Sequence, residues 1–397
     1  MRLHRAPLRI ARLSALACLT LGVAGCSDDD DTTGASTAAD STPAPSASAS
    51  TTPASGGSEI AVAASDSACG IDKTSIPAGP VVLKIHNGGT EVTEVYILKD
   101  NGTGIVTERE NIAPNSDTEL TAELPQGSFQ ISCRPASGER VNSDLTVTGG
   151  SDGNTAEEQA AVDGYRAYVT AQVADTVAKT RLLVAALKEN DLSKAKELYA
   201  PSRFGWESIE PVAEAFGDID PKVDLREADL EEGATWTGWH VIEKQLWVEK
   251  NTEGMAAVGD QLLADLDTLT KRVPEADITP TSMANGAKEL LDEVASGKIT
   301  GEEEAFSHTD LVDFKANLDG AKKVFDLLKP VAERNDADLV RTLDTEFEDC
   351  EEALSKYSDG DTYISYDEVT EAQRKALSDA VNALAEPLSR LAAAVVG

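Results

Sequence analysis

The stretch AEEQAAVDGYRAYVTAQVADTVAKTRLLVAALKEN, residues 156–190, marks where this chain changes period. Val162, Val169, Val173 and Val177 fall on one face of a helix with 3.6 residues per turn, with charged and small residues between them. From here to the C-terminus the pattern stays helical. It continues through 191–216, 238–250, 254–273, 284–298, 310–335, 337–357 and 370–396. Helices of this number and length form bundles. The span from about Phe306 repeats the order found from about Val162: a long helix, an acidic second helix, an irregular tyrosine-containing link, then another helix. This predicts two fused four-helix units. Pro201 and Pro211 should kink or break the second helix, because proline lacks the N–H donor and crowds the preceding turn.

Upstream of residue 156 the text is different. PVVLKIHN (80–87), TEVYILK (93–99), DTELTAEL (117–124), GSFQISC (127–133) and RVNSDLTVTG (140–149) are short runs rich in β-branched residues, separated by Gly, Pro, Asn and Asp. Residues 58–149 therefore predict an antiparallel β-sandwich, followed by an all-α part over 150–397.

The first 25 residues read as an export signal. Arg2, Arg5, Arg9 and Arg12 precede the apolar run LSALACLTLGVA (13–24), which is too short to span a bilayer. The run ends in Val23-Ala24-Gly25-Cys26, which looks like a bacterial lipobox and implies cleavage before Cys26 and lipid on its thiol. Residues 26–57, rich in Ser, Thr, Ala, Pro and Asp, cannot bury enough surface to fold and read as a tether. About 340 residues follow it, enough for two or three domains.

The formal charge is −35, and losing the four arginines of the signal takes it to −39. A surface of this sign repels nucleic acid and anionic lipid and attracts cations and basic partners. Cysteine is sparse. With Cys18 in the signal and Cys26 lipidated, Cys69 and Cys133 form the natural disulfide pair in an extracytoplasmic β-domain. Cys350, within EFEDCEEAL, reads as a buried helix residue.

Two segments carry candidate chemistry. GWHVIEKQLW (238–247) places His240 and Glu243 three residues apart, and RFGWESIEPV (203–212) places Glu207 and Glu210 at the same spacing. Such pairs share a helix face. Two of them on neighbouring helices can converge on one ion, with Asp224 of PKVDLREADLEEG as a fifth ligand. Oxygen donors with one imidazole suit iron, manganese or zinc rather than cuprous ion. The same residues also admit a plainer reading of solvated acids around a core histidine. All four tryptophans, Trp206, Trp236, Trp239 and Trp247, lie in or near these segments and read as core packing.

In the β-part, Cys69, Glu94, Glu108, Glu110 and Cys133 are candidates for a second metal site at one end of the sandwich. Blue copper needs two histidines and a thiolate, and this part has only His86 and no methionine. If the cysteines pair, they are not thiolate ligands. Around His308, Ser307 or Thr309 is expected to cap the following helix, with Asp310 in its first turn.

Several of these segments resemble the EfeO family, the extracytoplasmic components of EfeUOB-type iron uptake systems. They are ILK (97–99), ERENIAP (108–114) and GSFQISC in the β-part, then residues 199–214, TGWHVIEKQLW (237–247) and 299–320 in the helical part. The resemblance implies a cupredoxin-like β-sandwich followed by an imelysin-like helical domain. It implies that His240 and Glu243 bind metal, with Glu207, Glu210 and Asp224 as the nearby acids. It also implies a membrane permease and a haem-peroxidase component as partners. Some relatives place methionine where Ile131 stands, which counts against copper in the β-domain here.

The expectation is a lipid-anchored, non-enzymatic iron carrier that takes ferrous or ferric iron, or another divalent ion such as zinc, outside the membrane. The rivals are a metallopeptidase-like or ferroxidase enzyme and a polymer-binding lipoprotein with a structural metal. The zinc-protease signature H-E-x-x-H is absent and no nucleophile–base arrangement is visible.

Overall fold

The computed structural model describes residues 57–397, apart from 100, 101, 103, 151, 152, 231, 232 and 361. The expected signal, tether and Cys26 lipid site lie outside the described residues. Among the described residues nine strands come first: β1 (Ser58–Ser65), β2 (Ala68–Ile71), β3 (Ser75–Pro77), β4 (Gly79–Asn87), β5 (Thr93–Lys99), β6 (Gly104–Ile112), β7 (Ser116–Leu124), β8 (Gly127–Pro135) and β9 (Val141–Thr148). They form a four-stranded sheet, β2-β1-β4-β7, and a five-stranded sheet, β3-β9-β8-β5-β6.

Alternation decides which face is inside. Along β4, Val81, Leu83 and Ile85 are buried while Val82 and Lys84 are partly exposed, and Leu83 sits opposite Leu120 of β7. Ile97 and Ile131, aligned on β5 and β8, belong to the same apolar cluster. Each such branched side chain taken fully out of water contributes about 1.5–3 kcal/mol. The sandwich is not wholly antiparallel as expected: β1 pairs with β4 and β3 with β9 in parallel.

Among the described residues ten α-helices follow: α1 (Ala156–Lys188), α2 (Leu192–Glu207), α3 (Asp220–Val223), α4 (Trp239–Trp247), α5 (Met255–Arg272), α6 (Pro280–Ser296), α7 (Asp310–Asn335), α8 (Ala337–Ser355), α9 (Glu371–Leu388) and α10 (Leu391–Val396). A two-residue hairpin, β10 (Ser358–Asp359) with β11 (Thr362–Tyr363), joins α8 to α9. α1 opens with a capping box: Thr155 accepts from Glu158 N–H, and the Glu158 side chain accepts from Thr155 N–H.

α1, α2, α4 and α5 close one ring of packed helices, and α6, α7, α8 and α9 close another. The second ring therefore starts at Pro280, ahead of the Phe306 expected from the repeat. One apolar cluster runs through both rings, from Val162 of α1 to Leu388 of α9. Among the described residues, no helix is long and apolar enough to cross a membrane.

Of the two prolines expected to kink or break the second helix, Pro211 stands at a break and Pro201 does not. Pro201 lies inside α2, which continues to Glu207. The carbonyl it cannot serve belongs to exposed Glu197, where water is available. Pro211 sits in the first turn of a separate 3-10 helix, Glu210–Phe216, where its missing N–H costs nothing.

Strand β6 rests on α6 and on this 3-10 helix. Asn285 of α6 donates to Thr107 Oγ1 (3.0 Å) and to the Thr121 carbonyl (2.9 Å). Arg109 of β6 pairs with Glu289 of α6 at 2.7 Å. These contacts fix the β-part against the helices.

Candidate metal centre

α4 is only nine residues long, yet it buries Trp239, His240, Ile242, Glu243 and Leu246. An apolar i, i+3, i+7 stripe of Trp239, Ile242 and Leu246 docks it on the core and carries His240 and Glu243 inside with it. His240 Nδ1 lies 3.1 Å from Glu243 Oε2. His240 Nε2 lies 3.3 Å from Asp224 Oδ1 and 3.5 Å from Glu303 Oε1. Asp224 follows α3 and also accepts from Trp206 Nε1 at 2.7 Å. Glu243 Oε1 accepts from the backbone N–H of Phe306 (2.9 Å) and Ser307 (2.7 Å), which points its other oxygen at the imidazole.

Glu207 and Glu210 do not share a helix: α2 ends at Glu207 and Glu210 opens the 3-10 helix. Their carboxylates still meet. Lys298 Nζ contacts Glu207 Oε2 (3.0 Å) and Glu210 Oε2 (2.8 Å), and Asn317 Nδ2 donates to the same two oxygens at 3.0 and 2.7 Å. The donor atoms form three overlapping triads, each within 4.8 Å: Asp224–His240–Glu303, His240–Glu243–Glu304, and Glu207–Glu210–Asp224. Ligands about 2.0–2.2 Å from one ion stand roughly 3.0–3.5 Å apart, and the spacings around His240 Nε2 match that.

Four residues of this centre escape sequence reasoning: Arg203, Lys298, Glu303 and Glu304. Arg203 is fully buried and its guanidinium bonds Asp224, Glu207 and Glu303, the last at 3.0 Å. Glu304 Oε1 lies 2.7 Å from Arg203 Nε. The only signal for the glutamates is GEEEAF (301–306), a run of acids against an apolar residue close to a gap between helices. Among the described residues, Arg203 and Lys298 supply the fixed positive charge inside an otherwise acidic cluster.

The electrostatics follow from this mixture. Burial and the nearby Arg203 oppose a charge on His240, but contacts with Asp224, Glu243 and Glu303 outweigh them and push its pKa well up. Burial would raise Asp224, yet Arg203 and then His240 hold it well below the usual carboxylate range. Glu303 is lowered to about 2 against its own burial, chiefly by Lys298. Glu210 is pushed well up by burial and by Glu207. The centre thus holds ionised and proton-holding carboxyls side by side around one imidazole. It suits a hard or borderline cation that can replace protons.

The five β-part candidates do not converge. Cys69 and Cys133 are joined as a disulfide, Cα atoms 5.4 Å apart, inside the sandwich. Glu94 accepts from Tyr96 Oη (2.5 Å), and Glu108 stands opposite Tyr96 in the register, on the face turned away from the sulfurs. Glu108 and Glu110 instead line a cavity of about 280 Å³ against the helices, with Glu210, Glu214, Glu289 and Glu293. Glu110 is raised to about 8 by burial and by Glu94. His308 is no ligand of the centre: its Nε2 lies 3.4 Å from Asp367, and Thr309 caps α7 without a side-chain hydrogen bond. Ser307 donates to Glu304 Oε2 (2.6 Å) instead of capping.

A cupredoxin-like sandwich joined to a double helical ring with a buried histidine–carboxylate centre defines a two-domain imelysin-type protein. The imelysin family model matches residues 161–391, and the cupredoxin-like domain model matches residues 42–147. The iron uptake system components EfeO of Escherichia coli K12, Escherichia coli O157:H7 and Shigella flexneri are each 37% identical to this chain. Each of these matches spans 342 residues, 84% of this chain and 90% of the relative. The chain belongs to the EfeO family.

Proposed function

We propose that this protein is the extracytoplasmic, lipid-anchored iron-binding component of an iron uptake system. It takes up ferrous or ferric iron and delivers it to a membrane permease, alongside a haem-peroxidase component. The observation that carries this reading is the buried grouping of His240 with Asp224, Glu243 and Glu303 at ion-ligand spacing, in a chain whose relatives are named iron uptake components.

Iron is the cargo, so the work of the site is capture and release rather than bond-making. His240 Nε2 and the Asp224 and Glu303 oxygens lie within 4.8 Å of one another around the Arg203 guanidinium and would hold the ion. Glu243, anchored by two backbone N–H groups, orients the imidazole. The acidic surface raises the local cation concentration. Arg203 balances Asp224 and Glu303, so ion entry and a shift of that guanidinium are coupled. Among the described residues no hydroxyl is hydrogen-bonded to His240, and Ser307 Oγ and Tyr199 Oη are bonded to Glu304 instead, which supports binding over hydrolysis.

Calorimetric titration of the mature chain with iron tests the reading. Losing a group that only orients a metal ligand costs about 10–100-fold in metal affinity, so His240→Ala should weaken binding by at least about 10-fold while His308→Ala leaves it nearly unchanged. Circular dichroism controls for folding. Equal affinity in His240→Ala and wild type would remove the site. Normal growth of a deletion strain under iron limitation would remove the transport role.

A further inference from the structure

Helix α7 turns a second set of oxygens into the interior, beside Arg203. Asp310, Asp313 and Asn317 occupy one face of it, at i, i+3 and i+7. They are 0%, 1% and 0% exposed. Asp310 Oδ1 accepts from Glu304 N–H at 3.2 Å. Its other oxygen, both oxygens of Asp313 and Oδ1 of Asn317 have no hydrogen-bond partner among the described residues.

The orientation of Asn317 is set by its neighbours. Its Nδ2 faces three acceptors, the Glu207 carbonyl, Glu207 Oε2 and Glu210 Oε2, so Oδ1 points away from them. The nearest cation to Asp313 is Arg203, whose Nε lies 3.8 Å from Oδ1 without a hydrogen bond to it. That same Nε is 2.7 Å from Glu304 Oε1.

Buried acceptors of this kind are costly when left without a donor, and a carboxylate more so. A side chain that offers only oxygen lone pairs, beside an amide oxygen and a further carboxylate, is a ligand set for a hard cation. The imidazole that gives the His240 grouping its borderline character is absent on this side.

We propose that Asp313 and Asn317 of α7, with Asp310 on the same helix face, form a second, oxygen-only cation position beside the Arg203 guanidinium. The protein then carries two cation positions in one buried centre. This inference goes beyond the iron-carrier reading and holds whatever ion His240 takes.

The test is manganous ion counted per mature full-length chain by equilibrium dialysis. Wild type should bind two ions. Asp313→Asn, which keeps the side-chain volume, should bind one, and His240→Ala should bind one. A folded Asp313→Asn chain that retains the wild-type count overturns the proposal. If Asp313→Asn fails to fold, the wild-type count decides: two ions uphold the second position and one overturns it. His240→Ala retaining the wild-type count removes the His240 position and leaves this one standing. Calcium that displaces one of two manganous ions marks a resident hard-cation site, and calcium that displaces none marks a second place for the cargo ion.

Discussion

Arg203 shows how one side chain organises a site. Its guanidinium presents several N–H donors in a rigid plane, and here they reach Asp224, Glu207 and Glu303 at once. Removing one partner from a buried pair of this kind costs about 3–5 kcal/mol, because the remaining charge stays buried. The cleft acids illustrate the opposite case, carboxyls with too few cations. Glu110 carries a pKa raised from 4.5 to about 8, first by burial and then by Glu94. A carboxyl raised on folding contributes stability that is complete below about 4.5 and is lost as pH rises through about 8. Metal-free Glu110→Gln should therefore gain in melting temperature over wild type as pH is raised from 5 to 9. Parallel melting curves for the two proteins across that range would show that Glu110 carries no such shift.

At the scale of elements, α4 depends on the residue before it. Gly238 has φ 92°, and a Cβ placed there would lie 2.1 Å from the Val223 carbonyl oxygen, in backbone that cannot swing aside. Gly238→Ala combines this clash with backbone strain of about 1–3 kcal/mol. It should lower the melting temperature and weaken ion binding together, because Val223 precedes Asp224 and Gly238 is two residues from His240. A variant that melts and binds like wild type would show that α4 and the Asp224 loop are free to adjust. The 3-10 helix that carries Glu210 is held in a similar way. Gly286 of α6 lies so near Pro211 that a Cβ would fall 1.7 Å from its carbonyl oxygen. Pro211 marks this break in the sequence, but the close approach of α6 that fixes its direction is not local.

At the scale of the whole molecule, the β-part and the helices share a buried charge pair. Arg109 and Glu289 have side chains 10% and 13% exposed. Arg109→Met leaves Glu289 with only the more distant Lys288, 3.6 Å from its Oε1, in an acidic cavity, at a cost of up to about 3–5 kcal/mol. Calorimetric melting should move to lower temperature and split, with the sandwich and the helices unfolding in separate steps. A single unshifted transition would show that the pair does not couple them. Cys26→Ser should release the protein from a washed membrane fraction, since a lipid on that thiol would be the strong apolar anchor. Retention there would point to another means of attachment.

The switch from period 2 to period 3.6 near residue 156 determined a β-sandwich followed by helices, because each pattern can bury its apolar face in only one kind of element. Short-range spacing likewise marked His240 with Glu243, and Cys69 with Cys133 was open to pairing. Tertiary structure alone decided what surrounds them. Arg203, Lys298 and Glu303 reach the centre from segments up to a hundred residues apart, and a charged residue bound for the interior looks in sequence like one bound for solvent. The same holds for Glu108 and Glu110: alternation put them on one face of β6, but only the packing of α6 and the 3-10 helix turned that face into a buried cavity and moved it away from the disulfide. Spacing along the chain fixes which side chains share a face. What that face meets depends on how distant segments pack, and burial against opposite charge is what turns ordinary acids into a site.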